Sequence, residues 1–310
     1  MSSGERFAPV GELELCYETF GSEADPPVLL VMGLAAQMVV WDDDFCRGLA
    51  ARGFWVIRFD NRDIGRSTIL RDAPVPSRLQ LLRRDRRAAA YSLTDMAADA
   101  AGLLDHLEVD AAHVVGASMG GMIAQLLAIE HPRRVLSLVI IMSTTGNRWV
   151  GQAHPRLYPR LLRRSRLDHA GYVADFVATY RAIGSKRSPP DPGRLRAIAE
   201  RCFARGVHPT GAARQLAAIV TAGDRTERLT ALRVPTTVIH GRGDRLVMPS
   251  GGRAIATAIP GARLVMIPAM AHGLPPALWP QVTDEIVRTI DAASKQETKE
   301  ERHGRRQQAR

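Results

Sequence analysis

Short unbroken apolar runs alternate along this chain with longer stretches whose apolar residues recur every three or four positions. Val28–Met32, Trp55–Phe59, Val135–Met142, Thr237–His240 and Arg263–Ile267 read as strands, and Leu13–Phe20 alternates as a strand does. Helical patterns lie between them. Trp41, Phe45 and Leu49 share one face of a predicted helix over Trp41–Arg52, with Gly53 just past its end. Ser92 and Asp95 have capping-box spacing and open a helix carrying Met96, Ala97, Ala100, Leu103, Leu104 and Leu107. Met122–Ile129 is helical until Pro132 closes it, and a last helix spans Leu278 to Ala292. Strand–helix alternation of this kind predicts an α/β fold, a mostly parallel, doubly wound sheet with helices on both faces.

The alternation fails in three places. Residues 145–227 are helical and Arg-rich, interrupted by Ser188-Pro189-Pro190-Asp191-Pro192-Gly193, and read as a helical cap inserted into a core of residues 1–144 and 228–293. Tyr158, Tyr172, Phe176 and Tyr180 of this cap either line a pocket or pack its helices together. Leu70–Arg87 reads as an irregular, solvated connection, and residues 294–310 as a charged, disordered tail.

Composition narrows the class. With 45% hydrophobic residues among 310, the chain can build a large core, and no run reaches the roughly 18 apolar residues of a membrane span. Met1–Val10 is polar and lacks a signal-peptide core. Cys16, Cys46 and Cys202 are odd in number and far apart, which argues against disulfides and a zinc site and for a reduced, cytoplasmic protein. The net charge of +10 comes almost wholly from scattered arginine, with six Lys/Arg against three Glu in the 294–310 tail. No basic stretch is interleaved with aromatics, so neither nucleic acid nor a stably inserted membrane segment is expected as a partner.

The candidate chemistry begins between Val114-Val115 and Met122, where Gly116-Ala117-Ser118-Met119-Gly120 matches G-x-S-x-G. So sharp a strand-to-helix turn strains the serine backbone and lifts its hydroxyl above the sheet. Gly116 and Gly120 fall where a side chain would collide with the neighbouring strand or helix, and the first helical amides point at whatever Ser118 attacks. Ligands of a doubly wound sheet bind beyond the carboxyl ends of its strands. Two more groups sit at such ends: Asp244, in Gly241-Arg242-Gly243-Asp244, and His272, in Met270-Ala271-His272-Gly273. An imidazole can take the serine proton, and a carboxylate can fix its tautomer and stabilise the imidazolium.

Competing groups fit other roles. His240 ends a strand and suits a structural place, while His106 and His131 lie at helix ends. Ser143-Thr144-Thr145 offers no carboxylate after Val135–Met142, which leaves Asp244 as the acid. Asp60–Ser67 reads as a polar turn held by Asx-type hydrogen bonds and an ion pair. The small residues of Gly33-Leu34-Ala35-Ala36 let the backbone approach a ligand closely.

Three segments carry a resemblance: Trp41–Phe45, Val56–Thr68 and Ala112–Gly120. Through them the chain resembles the α/β-hydrolase superfamily over nearly its whole length before the tail, and is most similar to bacterial serine esterases of the aclacinomycin methylesterase type. The resemblance implies an α/β-hydrolase fold, Ser118, Asp244 and His272 as catalytic triad, the N–H groups of Leu34 and Met119 as oxyanion hole, and no cofactor. It implies a small or medium-sized carboxylic ester as substrate, cleaved through an acyl-serine. Thioesterase, lactonase, perhydrolase and C–C hydrolase activities use the same triad, and non-catalytic small-molecule receptors use the same fold. Met32-Gly33 stands where many relatives have His-Gly, which keeps the backbone donor and leaves the loop's side-chain hydrogen bonds open.

Overall fold

The computed structural model describes residues 2–157 and 166–308, so Tyr158 lies outside the described residues. Its framework is one eight-stranded sheet in the order β1-β2-β4-β3-β5-β6-β7-β8. β1 (Arg6–Val10) and β2 (Leu13–Phe20) form a hairpin around Gly11, whose φ of +57° is a left-handed conformation that glycine adopts at little cost. β2 runs antiparallel to β4 (Trp55–Phe59), and all later pairings are parallel. β3 (Pro27–Val31), β5 (Ala112–Ala117), β6 (Val135–Ile141) and β7 (Thr236–Gly241) are buried nearly throughout, as strands covered on both faces must be. β8 (Arg263–Ile267) forms the far edge.

Helices cover both faces. α1 (Asp43–Ala50) starts two residues later than its apolar spacing predicts, because Trp41 ends a short 3-10 turn and Asp42 caps the helix by accepting the Asp44 N–H at 2.9 Å. α2 (Arg78–Arg83) corrects the expected irregular connection: Ser77 and Gln80 form a reciprocal capping box that makes one short helix. α3 (Leu93–His106) opens on the capping box read from Ser92 and Asp95. α4 (Met119–Glu130) leaves the elbow and packs with α3 on one face of the sheet.

Between β6 and β7 the chain leaves the sheet for α5 (His169–Ile183), α6 (Pro192–Arg205), α7 (Pro209–Thr221) and the single turn α8 (Thr226–Leu229). α9 (Ser250–Ala258) joins the α3–α4 face. α10 (Trp279–Gln308) packs with α1 on the opposite face, where Phe45, Leu49, Val282 and Ile286 meet. Each such fully buried aliphatic or aromatic side chain contributes about 1.5–3 kcal/mol relative to exposure. The backbone of α10 is helical as far as Gln308, and the stretch beyond residue 294 is rich in Lys, Glu and Gln, good helix formers.

β1 was not anticipated from the sequence. It is an edge strand with Pro9 inside it, a position where proline forfeits no ladder bond that the sheet interior needs.

Ion pairs fasten the β6–β7 insert to the sheet. Arg205 of α6 reaches Asp60 and Glu5, each at 2.7 Å, and Arg214 of α7 grips Asp63 at 2.7 and 2.8 Å. Arg194 bonds Asp42 and Asp44, and Arg201 bonds Asp43. The Asp60–Ser67 turn is held by side-chain to backbone bonds that span six or seven residues, such as Arg66 N–H to Asp60 and Leu70 N–H to Asp63, and by ion pairs to Asp99 and Glu5 as well as to Arg205 and Arg214 of the insert.

Candidate active site

Ser118 sits between β5 and α4 with φ +56° and ψ −118°, a strained conformation for a residue with a side chain. The glycines explain how the turn closes. A Cβ on Gly116 would overlap the Gly120 carbonyl, and one on Gly120 would overlap the Val31 carbonyl of β3. Gly33 lies close on the other side, where a Cβ would stand 3.1 Å from the Ser118 Cβ.

Asp244 follows β7 and His272 follows β8, and the fold brings both to Ser118. His272 Nε2 lies 3.1 Å from Ser118 Oγ, and His272 Nδ1 lies 2.8 Å from Asp244 Oδ2. The other carboxylate oxygen, Oδ1, accepts the N–H groups of Leu246 and Val247, both at 2.9 Å, which fixes the carboxylate plane. The geometry suits one tautomer: Nδ1 protonated toward Asp244, Nε2 free to accept the serine proton. Asp244 and His272 are both nearly fully buried, so water competes little for these bonds.

His240 takes the structural place read from the sequence. It is wholly buried, and its Nε2–H donates to the Val247 carbonyl at 2.9 Å, bracing the loop that carries Asp244. Burial, only partly opposed by the Asp244 charge, holds its pKa below the ordinary imidazole value and keeps it neutral.

Leu34 and Met119, expected from the sequence to form the oxyanion hole, both line the cavity beside Ser118. What holds the Leu34 loop was not legible in the sequence. Ala35, at φ +55°, donates its N–H to Gln215 Oε1 at 3.0 Å, and Gln215 Nε2 donates to the Arg62 carbonyl at 2.8 Å. Asn61 Nδ2 donates to the Met32 carbonyl at 3.0 Å from the other side. Gln37, at the end of the loop, bonds the carbonyls of Cys202 and Gly206 and accepts from Arg205. Gln215 and Arg205 belong to the insert, so α6 and α7 supply the side-chain bonds left open by Met32-Gly33. The insert also touches the histidine loop, where His272 N–H donates to the Ile183 carbonyl at 3.1 Å.

Ser118 and His272 open into a cavity of about 770 Å³ between the sheet edge and the insert. Its walls are mainly apolar, with Met32, Met122 and Met142 from the sheet side and Leu216, Ile219 and Val220 from α7. Tyr172, Phe176 and Tyr180 fulfil both expectations at once: they line the cavity and pack on one another, Phe176 and Tyr180 stacking at 4.5 Å. Among the described residues no group of three or more His, Cys, Asp or Glu side chains is arranged to hold a metal ion.

Comparisons with known proteins agree with this architecture. The α/β hydrolase fold family profile matches residues 26–275. The chain is 29% identical to the rhodomycin D methylesterase of Streptomyces peucetius, over 91% of this chain and 97% of that protein. It is also 29% identical to a pimeloyl-[acyl-carrier protein] methyl ester esterase of Aeromonas hydrophila, over 64% of this chain and 75% of that one. The crystal structure of a hydrolase from Pseudomonas aeruginosa superposes with a TM-score of 0.68 at 26% identity, covering 93% of this chain and 98% of the other. The resemblance drawn from Ala112–Gly120 and its companion segments is thereby borne out: the chain belongs to the α/β-hydrolase fold family.

Proposed function

We propose that the protein is a cofactor-free serine hydrolase that cleaves carboxylic esters of small or medium-sized substrates through an acyl-serine. The observation that carries this reading is the unbroken hydrogen-bonded line from Asp244 through His272 to Ser118 at the mouth of an apolar cavity. Two relatives named as methyl ester esterases support it.

In this mechanism Ser118 Oγ attacks the ester carbonyl while His272 Nε2 takes its proton. Asp244 keeps Nδ1–H oriented and stabilises the imidazolium as it forms. The tetrahedral oxyanion accepts hydrogen bonds from the Leu34 and Met119 amides, each worth roughly 3–4 kcal/mol in the transition state. The positive end of α4 lies behind the Met119 amide and adds to that field. His272 then protonates the departing alcohol oxygen. Water enters, gives its proton to His272 and attacks the acyl carbon, which frees the acid and restores Ser118.

Residues 145–227 act as a cap over this site, supplying the aromatic and aliphatic wall that selects the acyl part. No described helix is long and apolar enough to cross a membrane. The cytoplasm is the compartment this reading assigns, because Cys16, Cys46 and Cys202 are buried and unpaired, with thiol pKa values that burial pushes up to about 12.

The test is Ser118→Ala. Hydrolysis of p-nitrophenyl acetate and labelling by a fluorophosphonate should both vanish while the melting temperature holds. Turnover surviving that change would refute the assignment.

A further inference from the structure

The rim of the cavity carries a surface that the proposed chemistry does not use. α2 buries none of its residues, and one side of it rests on α7. Leu79, Leu82 and Arg83 follow the spacing i, i+3, i+4 that marks one helical face, and all three are exposed, as is Arg86 in the 3-10 turn just beyond the helix. Leu82 is 81% exposed and Leu79 54%, the reverse of a surface helix that turns its leucines inward. Trp149 is 76% exposed, with the Arg148 guanidinium stacked 4.5 Å from its ring centre. Arg84, which caps α2, lines both the cavity and a shallow hollow walled by Arg148 and Trp149. Arg84 thus links the C-terminal end of α2, next to Leu82, to the cavity and to the hollow beside Trp149.

Charge is concentrated on the same rim. Residues 71–87 hold Arg71, Arg78, Arg83, Arg84, Arg86 and Arg87 against Asp72 and Asp85. All six arginines are exposed, and none joins an ion pair among the described residues. They differ in this from Arg194, Arg201, Arg205 and Arg214 of the insert, whose charges are taken up by carboxylates of the core. The Asp85 carboxylate is itself occupied, accepting the Arg87 N–H at 3.0 Å.

We propose that this rim docks on an anionic lipid bilayer, with Leu79, Leu82 and Trp149 at the boundary between headgroups and acyl chains and the 71–87 arginines on lipid phosphates. A nucleic acid or an acidic protein would satisfy the arginines and leave three large apolar side chains in water, whereas a bilayer uses both. An indole beside guanidinium groups is at home at that depth. Docked in this way, the cavity mouth faces the membrane, and lipophilic esters dissolved there enter without crossing water. This last step rests on the serine esterase reading; the docking does not.

The experiment is sedimentation of the full chain with vesicles at about 0.15 M salt, where exposed charges are screened beyond roughly 8 Å. Vesicles of phosphatidylcholine with phosphatidylglycerol should carry the protein down, and phosphatidylcholine alone should leave it in solution. The double variant Leu79→Asn/Leu82→Asn should bind the mixed vesicles at least tenfold more weakly while hydrolysing p-nitrophenyl acetate at the wild-type rate. Ser118→Ala should still sediment, so a failure of the esterase reading would leave docking intact. Wild-type protein that ignores anionic vesicles overturns the proposal. So does binding that salt abolishes but the leucine variant does not weaken, the mark of a purely electrostatic face.

Discussion

Replacing Gln215 tests whether the insert helps to build the oxyanion hole or only covers the cavity. Gln215 is fully buried on α7 and makes two bonds, accepting from Ala35 N–H at 3.0 Å and donating to the Arg62 carbonyl at 2.8 Å. Gln215→Met preserves the volume and removes both. Ala35 is exposed and Arg62 half-buried, so water can replace part of what is lost and the two bonds together should account for roughly 1–2 kcal/mol of stability. The catalytic loss has a ceiling of about 3–4 kcal/mol, the full value of one oxyanion donor. The loop keeps its Asn61 bond to Met32 and the Ala36 N–H bond to Gly33 at 3.3 Å, so only part of that is forfeited. We expect kcat to fall roughly tenfold, about 1.4 kcal/mol, with KM within about twofold of wild type. Gln215→Glu is the discriminating partner. Its carboxylate can still accept from Ala35 N–H but faces the Arg62 carbonyl without a donor. It should lose stability as the methionine variant does and recover most of kcat. Steady-state kinetics on p-nitrophenyl esters and urea denaturation read the two effects separately. A methionine variant with wild-type kcat, or two variants equally slow, would show that the Ala35 bond does not position the donor.

Two further expectations follow from packing and charge. Gly120→Ala would drive a Cβ into the Val31 carbonyl and should cost about 1–3 kcal/mol or more together with most of the activity. Gly48→Ala, inside α1 with open space around it, should instead stabilise by about 0.5–1 kcal/mol; equal urea midpoints for the pair would contradict the packing argument. Acid should loosen the insert. Burial alone would raise the carboxyls of Asp63 and Glu5, but the Arg214 hydrogen bonds and the Leu70 amide at Asp63, and Arg205 at Glu5, outweigh it, so both lie below their ordinary values. Carboxyls depressed in the folded state stabilise it fully above about pH 4–5 and lose that contribution as pH falls through their folded pKa. The urea midpoint should thus be level from pH 7 to 5 and decline below about 4, less steeply in Asp63→Asn/Arg214→Met; a midpoint that rises on acidification would exclude the mechanism.

The site was legible in the sequence where its geometry is local. Gly116, Ser118 and Gly120 fix the elbow within five residues, and Asp244 and His272 each follow a recognisable apolar run. The distances between them then follow from a parallel sheet that ends its strands on one side. Where the chain's own spacing conflicted with a weak local signal, the reading failed: Pro9 masked an edge strand, and the Arg-rich 70–87 stretch concealed a capped helix. Gln215 left no trace at all, because its partner Ala35 is 180 positions away and no periodicity marks a buried glutamine. Arginines scattered along the sequence separate, once folded, into those neutralised at the core–insert boundary and the exposed ones of 71–87, of which Arg84 lines the cavity.

One consequence concerns how such a protein can change its substrate. Ala35 and His272, on the two loops that flank the nucleophile, are each tethered by a backbone N–H to the insert, through Gln215 and the Ile183 carbonyl. The helices that wall the cavity therefore also hold the loops on either side of Ser118, and on the proposed reading exchanging them as an independent module should misplace those loops. A chimera that transplanted the 145–227 segment from a relative would inherit a new pocket but misaligned machinery, unless it brought a matching anchor for each loop. Diversification of this enzyme is thus expected to proceed by single replacements inside the cavity rather than by wholesale shuffling of the helices above it.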